Sequence, residues 1–379
     1  MDFTFTDEQQ ALRETARAFL AEHSSSEQVR KAMESELGYS PDLWRRIGSD
    51  LGWTALLIPE VLGGLGLGFV ELVALLETMG EFLLCAPFFS SICLGANALL
   101  VAGSEAQKRE LLPALAEGAL CATLAVPPAP WDGRASGMTT TVERCRSGFV
   151  LRGECDSVLD GHSADLLVIP ATPREGAGEV GASLFLVSAR SAGLQRAPLP
   201  TLDRTRRLAR LRFADVELPE SALLGDEGRG GELLERVLER ACVALAAEQV
   251  GLAQHCLDLT VAHAQERIQF DRPIGSFQAV KHLCADMLVH LESARSAAYY
   301  AACAAAEGSD ELPVLASLAK VVCSEASFHC AASALQIHGG VGFTWEYDLH
   351  LYLKRARASE SFLGDPGTHR ERIARRIGL

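Results

Sequence analysis

This 379-residue sequence has no basic excess, no CxxC pair, no low-complexity stretch and no uninterrupted apolar run long enough to span a bilayer. Each absence removes a class of function. Thirty-five Lys and Arg against 49 Asp and Glu leave a formal net charge of −14. Such a chain repels nucleic acid and anionic membrane, so neither is expected as a partner. Arg204, Arg206, Arg207, Arg210 and Arg212 do cluster. Arg206, Arg210 and Arg212 recur at even spacing in "RRLARLRF", which predicts the wet face of a strand. Eleven cysteines follow no pattern. They predict free, mostly buried thiols in a reducing compartment, and neither a disulfide scaffold nor a zinc site. "VALLETMGEFLLCAPFF" is interrupted by Glu77, Glu81 and Pro87, so no membrane insertion is expected. "MDFTFTDEQQ" begins acidic and polar, unlike a signal peptide. HExxH, GxSxG and spaced metal ligands are also missing, so hydrolase and metal chemistry have no support. A cytoplasmic protein is the expectation.

What is present falls into three textures, as a chain of this length requires more than one core. Residues 1–117 read as helices. Thr6 with Gln9, and Ser104 with Gln107, are capping boxes, and Ser40–Pro41 places a cap and a first-turn proline before "DLWRRIGSDLGW". Residues 118–226 are cut short by Gly, Pro and Ser. "FVLRGEC", "DLLVIPA", "SLFLVS" and "LARLRFADVEL" read as strands of an antiparallel sheet, with no long helical pattern between them. From 227 to 379 long helical patterns return, at about 229–269, 276–306, 311–338 and 346–361. The fold class is therefore α+β, mostly α: a helical domain, a middle antiparallel β domain and a C-terminal four-helix bundle.

Three motifs stand out. "PEVLGGLGLG" (59–68) has the wrong glycine spacing for a dinucleotide fingerprint and predicts a structural turn. "QIHGGVG" (336–342) ends a helix with more glycine than a C-cap needs, and glycine also lets a ligand approach the backbone. His338 within it is expected to be structural. "RIQFDRPIGSFQ" (267–278) sets a guanidinium, two amides and an aromatic ring at the corner between two helices, which suits a ligand with phosphates and a flat ring.

Together, helices, a β domain and a bundle carrying these motifs in this order resemble the acyl-CoA dehydrogenase family over essentially the whole chain. The resemblance implies FAD bound at a subunit interface and α,β-dehydrogenation of an acyl-CoA thioester. It implies Arg267 against a neighbour's pyrophosphate, Phe270 packed on the dinucleotide, amide contacts from Gln269 and Gln278, and Gln336, Gly339 and Gly340 toward its adenine side. An electron-transferring flavoprotein is the implied acceptor.

The rest of the family pattern is depleted. The family's catalytic glutamate in a Tyr-Glu-Gly-Thr segment falls on Leu363, within Phe362–Asp365. Glu360 and Asp365 are the carboxylates nearby. A second family location for the base, ten residues before Gly251, is Ala241, with Glu239 the nearest carboxylate and Cys242 beside it. A flavin-contacting Thr-Glu-Pro-like segment reads Ala125–Val126–Pro127. In the strand that lies against the flavin ring, Ser157 stands for an aromatic and Leu159 for a hydroxyl. The tail resembles base-less small subunits of heteromeric α2β2 members. The leading expectation is thus a subunit completing the FAD site of an unlike partner. The alternatives are an autonomous homotetramer using Glu239 as base, and a non-catalytic scaffold paralogue.

Overall fold

Thr6 accepts the Gln9 backbone N–H while the Gln9 side chain reaches back to Thr6, and this reciprocal cap opens α1 (Asp7–His23). The computed structural model describes residues 6–128, 137–174 and 181–379. The shorter helices are α2 (Ser26–Glu34), α3 (Pro41–Arg45), α5 (Asn97–Ala102) and α6 (Glu105–Ala116), and the contacts of the described residues group into two compact units. One joins the N-terminal segment up to Lys31 with Phe69–Leu84 and Cys242–Leu379, and the other joins Ala32–Gly68 with Cys85–Ala241.

The first unit is helical. It packs α1 and α4 (Phe69–Glu81) with most of α7 (Gly230–Glu266), and with α8 (Gln278–Glu307), α9 (Leu312–His338) and α10 (Leu349–Ser361). α4 and α7 touch backbone to backbone. A Cβ at Gly251 would lie 1.7 Å from the Glu77 carbonyl, and one at Gly80 would lie 2.0 Å from the Glu248 carbonyl. Burying charge is costly unless it is paired. Buried Glu77 accordingly meets Arg13 at 3.3 Å, Arg295 at 3.2 Å and the Tyr299 hydroxyl at 3.2 Å. Buried Glu248 and Arg355 pair at 2.6 Å. The chain from Leu312 to Phe343 is long and apolar enough to cross a membrane, but 67% of its apolar window is buried, as befits a core helix. Beyond the four expected long helices comes a fifth, α11 (Pro366–Arg376), capped by Asp365.

The second unit carries the sheet. Its strands are β1 (Ala122–Leu124), β2 (Thr140–Cys145), β3 (Gly148–Leu159), β4 (Leu166–Pro173), β5 (Ser183–Ser188), β6 (Leu194–Pro198), β7 (Leu208–Leu218) and β8 (Leu223–Leu224). The order is β6-β7-β3-β2-β4-β5-β8, with β1 beside β4. The ladders are antiparallel except where β4 meets β1 and β2, which pair in parallel. Phe149, Leu151, Ile169, Phe185, Leu211 and Phe213 anchor its core. Arg210 and Arg212 alternate outward from β7, facing Asp156 at 2.5 Å and Glu154 at 3.6 Å. "PEVLGGLGLG" is a tight structural turn: a Cβ at Gly64 would meet the Ile58 carbonyl at 1.8 Å. None of the eleven cysteines is bridged.

Candidate functional site

At the end of α7 the chain folds into a miniature hairpin. β9 (Ile268–Gln269) pairs antiparallel with β10 (Arg272–Pro273). Phe270 and Asp271 form the turn at φ of 53° and 60°. Two successive left-handed residues give the tight turn whose twist suits paired strands. The Ile274 N–H closes the hairpin on the Arg267 carbonyl at 2.8 Å. The result is display. The Phe270 ring is 86% exposed, and Arg267, Gln269 and Gln278 are all exposed. Gln269 donates to the Ile268 carbonyl at 2.9 Å, and Arg272 lies 4.1 Å over the Phe277 ring.

The second motif closes α9. Gly339 sits at φ +65° and ψ −143°, a conformation that side chains avoid. A Cβ at Gly339 or Gly340 would meet nothing within 4 Å. Packing inside the chain therefore does not demand these glycines; they leave backbone uncovered, beside exposed Gln336.

A contact that the sequence did not disclose joins the two helix ends that lead into these motifs. His263, in the last turn of α7, stacks on His338, in the last turn of α9, with ring centroids 4.0 Å apart and planes 19° apart. His338 Nδ1 lies 2.8 Å from the Ala334 carbonyl, which can only accept, so Nδ1 carries the proton. Burial holds both rings below the usual histidine range, and for His263 the neighbouring His338 and then Arg267 add to it. Neutral rings can stack beside Arg267 without repelling it. His338 is thus engaged within the helical unit, by the stack and by the Ala334 carbonyl.

The places where a base was sought are apolar. Ala241 is fully buried, and Leu363 is 2% exposed with a left-handed backbone at φ 59°. His369 Nε2 donates to the Leu363 carbonyl at 2.7 Å. The nearby carboxylates are engaged: Glu360 accepts from Arg357, and Asp365 caps α11 through the Thr368 N–H at 2.8 Å. That cap bond holds the Asp365 carboxyl below its usual range. Glu239 is buried on α7 with Arg240 as a charged neighbour. In the β unit, Ser157 is exposed at φ 58° in a bulge of β3, while Leu159 is 3% exposed and Ala125 is 2% exposed.

Open glycine backbone, an exposed guanidinium and exposed amides fit the phosphate and adenine side of a dinucleotide. The β3 end does not fit a flavin ring, because Leu159 brings neither a hydroxyl nor free surface.

Comparison with known proteins identifies the family. Residues 6–119 match the family description "Acyl-CoA dehydrogenase, N-terminal domain", and residues 228–378 match "Acyl-CoA dehydrogenase, C-terminal domain". The chain is similar to the acyl-CoA dehydrogenase IpdE2 of Mycolicibacterium smegmatis, 36% identical over 98% of each sequence. Among solved structures it is similar to the ChsE4–ChsE5 complex from Mycobacterium tuberculosis, with a TM-score of 0.89, 28% identity, and coverage of 100% of this chain and 99% of that one. It is also similar to the FAD complex of PigA, with a TM-score of 0.91, 26% identity and full coverage of both chains.

Proposed function

Because the chain belongs to the acyl-CoA dehydrogenase family, we propose that it serves FAD-dependent dehydrogenation of an acyl-CoA thioester by completing the FAD site of an unlike partner subunit. As a member of that family it is a flavin oxidoreductase whose cofactor is FAD. The further step, to a subunit that works in trans, rests on one asymmetry. The residues read as a dinucleotide clamp are all present and largely exposed, whereas Ala241 and Leu363 leave both family positions for a base without a carboxylate.

In this reading Arg267 neutralises pyrophosphate charge, and a charge-assisted contact of this kind is among the stronger polar ones. Gln269 and Gln278 supply amides, Phe270 covers the flat part of the dinucleotide, and Gln336, Gly339 and Gly340 receive the adenine side. The His263–His338 stack holds both halves at one place. Bound flavin supplies the acceptor for the hydride that leaves the β carbon. The base that removes the α proton comes from the partner, in an α2β2 assembly whose electrons pass to an electron-transferring flavoprotein in the cytoplasm. A precedent in kind is the ChsE4–ChsE5 complex, whose own two chains differ. The competing autonomous reading must recruit Glu239.

The test is Arg267→Ala in the assembled complex. Losing a hydrogen bond to a charged group costs ~1.5–3 kcal/mol, so flavin retention should weaken roughly tenfold to hundredfold. Flavin per complex after dialysis measures this, and unchanged retention would remove Arg267 from the clamp.

A further inference from the structure

The misfit at the end of β3 has a source in the β unit itself. The segment 33–39 is tied down by its backbone carbonyls. Arg204 Nη2 donates to the Met33 carbonyl at 2.9 Å, and Arg207 Nη2 donates to the carbonyls of Met33 and Ser35, each at 2.7 Å. His162 Nε2 donates to the Leu37 carbonyl at 3.1 Å. Gly38, at φ +81°, sits so close to Arg207 that a Cβ would lie 2.4 Å from Arg207 Cγ. Thus fastened, Gly38 and Tyr39 form one wall of a cleft whose other walls include Phe89, Leu159, Asp160 and Arg206. Arg206 rests on the Phe89 ring, its guanidinium carbon 4.9 Å from the centroid. Phe89 is 4% exposed. Asp160 is fixed as well: it accepts the Ser90 hydroxyl at 2.6 Å, and its N–H donates to the Arg207 carbonyl at 2.8 Å.

What remains of the cleft is about 10 Å³. That admits one water at most, whereas pockets for cofactor-sized ligands run to roughly 300 Å³ and more. Leu159 is the position matched to the residue that would lie against the flavin ring. We propose that Arg206, seated on Phe89 and backed by the tied 33–39 segment, is a plug that excludes a flavin ring from this chain's own β unit. The chain then serves a dinucleotide only in trans. The proposal rests on the functional reading above for the assignment of Leu159, and it adds the physical agent of exclusion.

The experiment titrates the full-length chain with lumiflavin and with FAD, following quenching of ring fluorescence. The unmodified chain should show no saturable binding of lumiflavin, which has neither pyrophosphate nor adenine for the clamp to hold. Leu159→Thr with Arg206→Ala opens the cleft and should bind both, roughly tenfold or more tighter than the unmodified chain. Leu159→Thr with Arg206→Met keeps the bulk without the charge and should stay closed. Leu159→Thr with Tyr39→Ala opens the same cleft from its other wall, giving an independent reading if removal of Arg206 disturbs folding. Saturable lumiflavin binding by the unmodified chain overturns the plug. So does an absence of binding by both opened variants when their circular dichroism and urea midpoints are native, and so does binding by the Met variant equal to that of the Ala variant. Failure here leaves the trans clamp standing, since Arg267→Ala in the complex reads that half separately.

Discussion

Lys320 shows how much one residue can be asked to do inside the helical unit. Its ammonium is fully buried, and its three donors go to the Ser324 hydroxyl at 2.9 Å and to the carbonyls of Ser359 and Glu360 at 3.1 and 3.0 Å. Those carbonyls belong to the last turn of α10, so the charge also meets the negative end of the helix. Burial nevertheless pulls the Lys320 pKa from 10.5 to about 8, against the opposing pull of Cys242, Cys323, Glu360 and Asp365. The unfolded chain therefore binds more protons than the folded one between about pH 8 and 10.5, and this group's contribution makes stability rise with pH across that window. Lys320→Met should flatten the rise. It should also cost ~1–3 kcal/mol near neutral pH by leaving buried carbonyls unsatisfied. Urea unfolding at both ends of the window checks both effects, and an unchanged slope would show that Lys320 titrates normally. Residue identity singled out Arg267, Gln278 and Gly339 as candidates, because few roles need a guanidinium or a run of glycine at a helix end. His263 and Lys320 were not legible, because His338 and the Ser359 and Glu360 carbonyls lie far from them in sequence.

At the scale of elements, the long helices followed from periodicity and caps, and the strands of the β unit followed from Gly, Pro and Ser punctuation. The expected start of α10 at about 346 moves to Leu349. α11 was missed because only Pro366 and His369 of it are buried, so it carries little apolar pattern. The parallel pairing of β4 with β1 and β2 was also hidden, since alternation names a strand's faces and not its neighbours. The α4–α7 crossing is the element contact most exposed to mutation. Gly251→Ala would drive a methyl into the Glu77 carbonyl. Overpacking of this kind typically costs ~1–3 kcal/mol. The urea midpoint should fall accordingly, and a midpoint at the wild-type value would mean that the two helices separate freely.

Over the whole molecule, the exposed aromatics report unfinished business. Phe270 is 86% exposed, Phe343 69% and Trp345 63%, all in the helical unit that carries the clamp. The chain expressed alone should carry little flavin and form a dimer or smaller species; co-expression with the partner subunit should raise both flavin content and mass. Light scattering with flavin absorbance measures this, and stoichiometric flavin in a homotetramer would overturn the partnered reading. Sequence by itself determined the family, the order of helical and β segments, and that positions 241 and 363 carry no carboxylate. Those depend on side-chain chemistry and short-range periodicity, which a sequence carries openly. Tertiary structure alone decided that the ends of α7 and α9 meet through the His263–His338 stack, that Arg267, Gln269 and Gln278 are exposed, and that Arg206, Tyr39 and Leu159 line one narrow cleft. Those depend on which distant segments share space, and that is set by packing of the whole core.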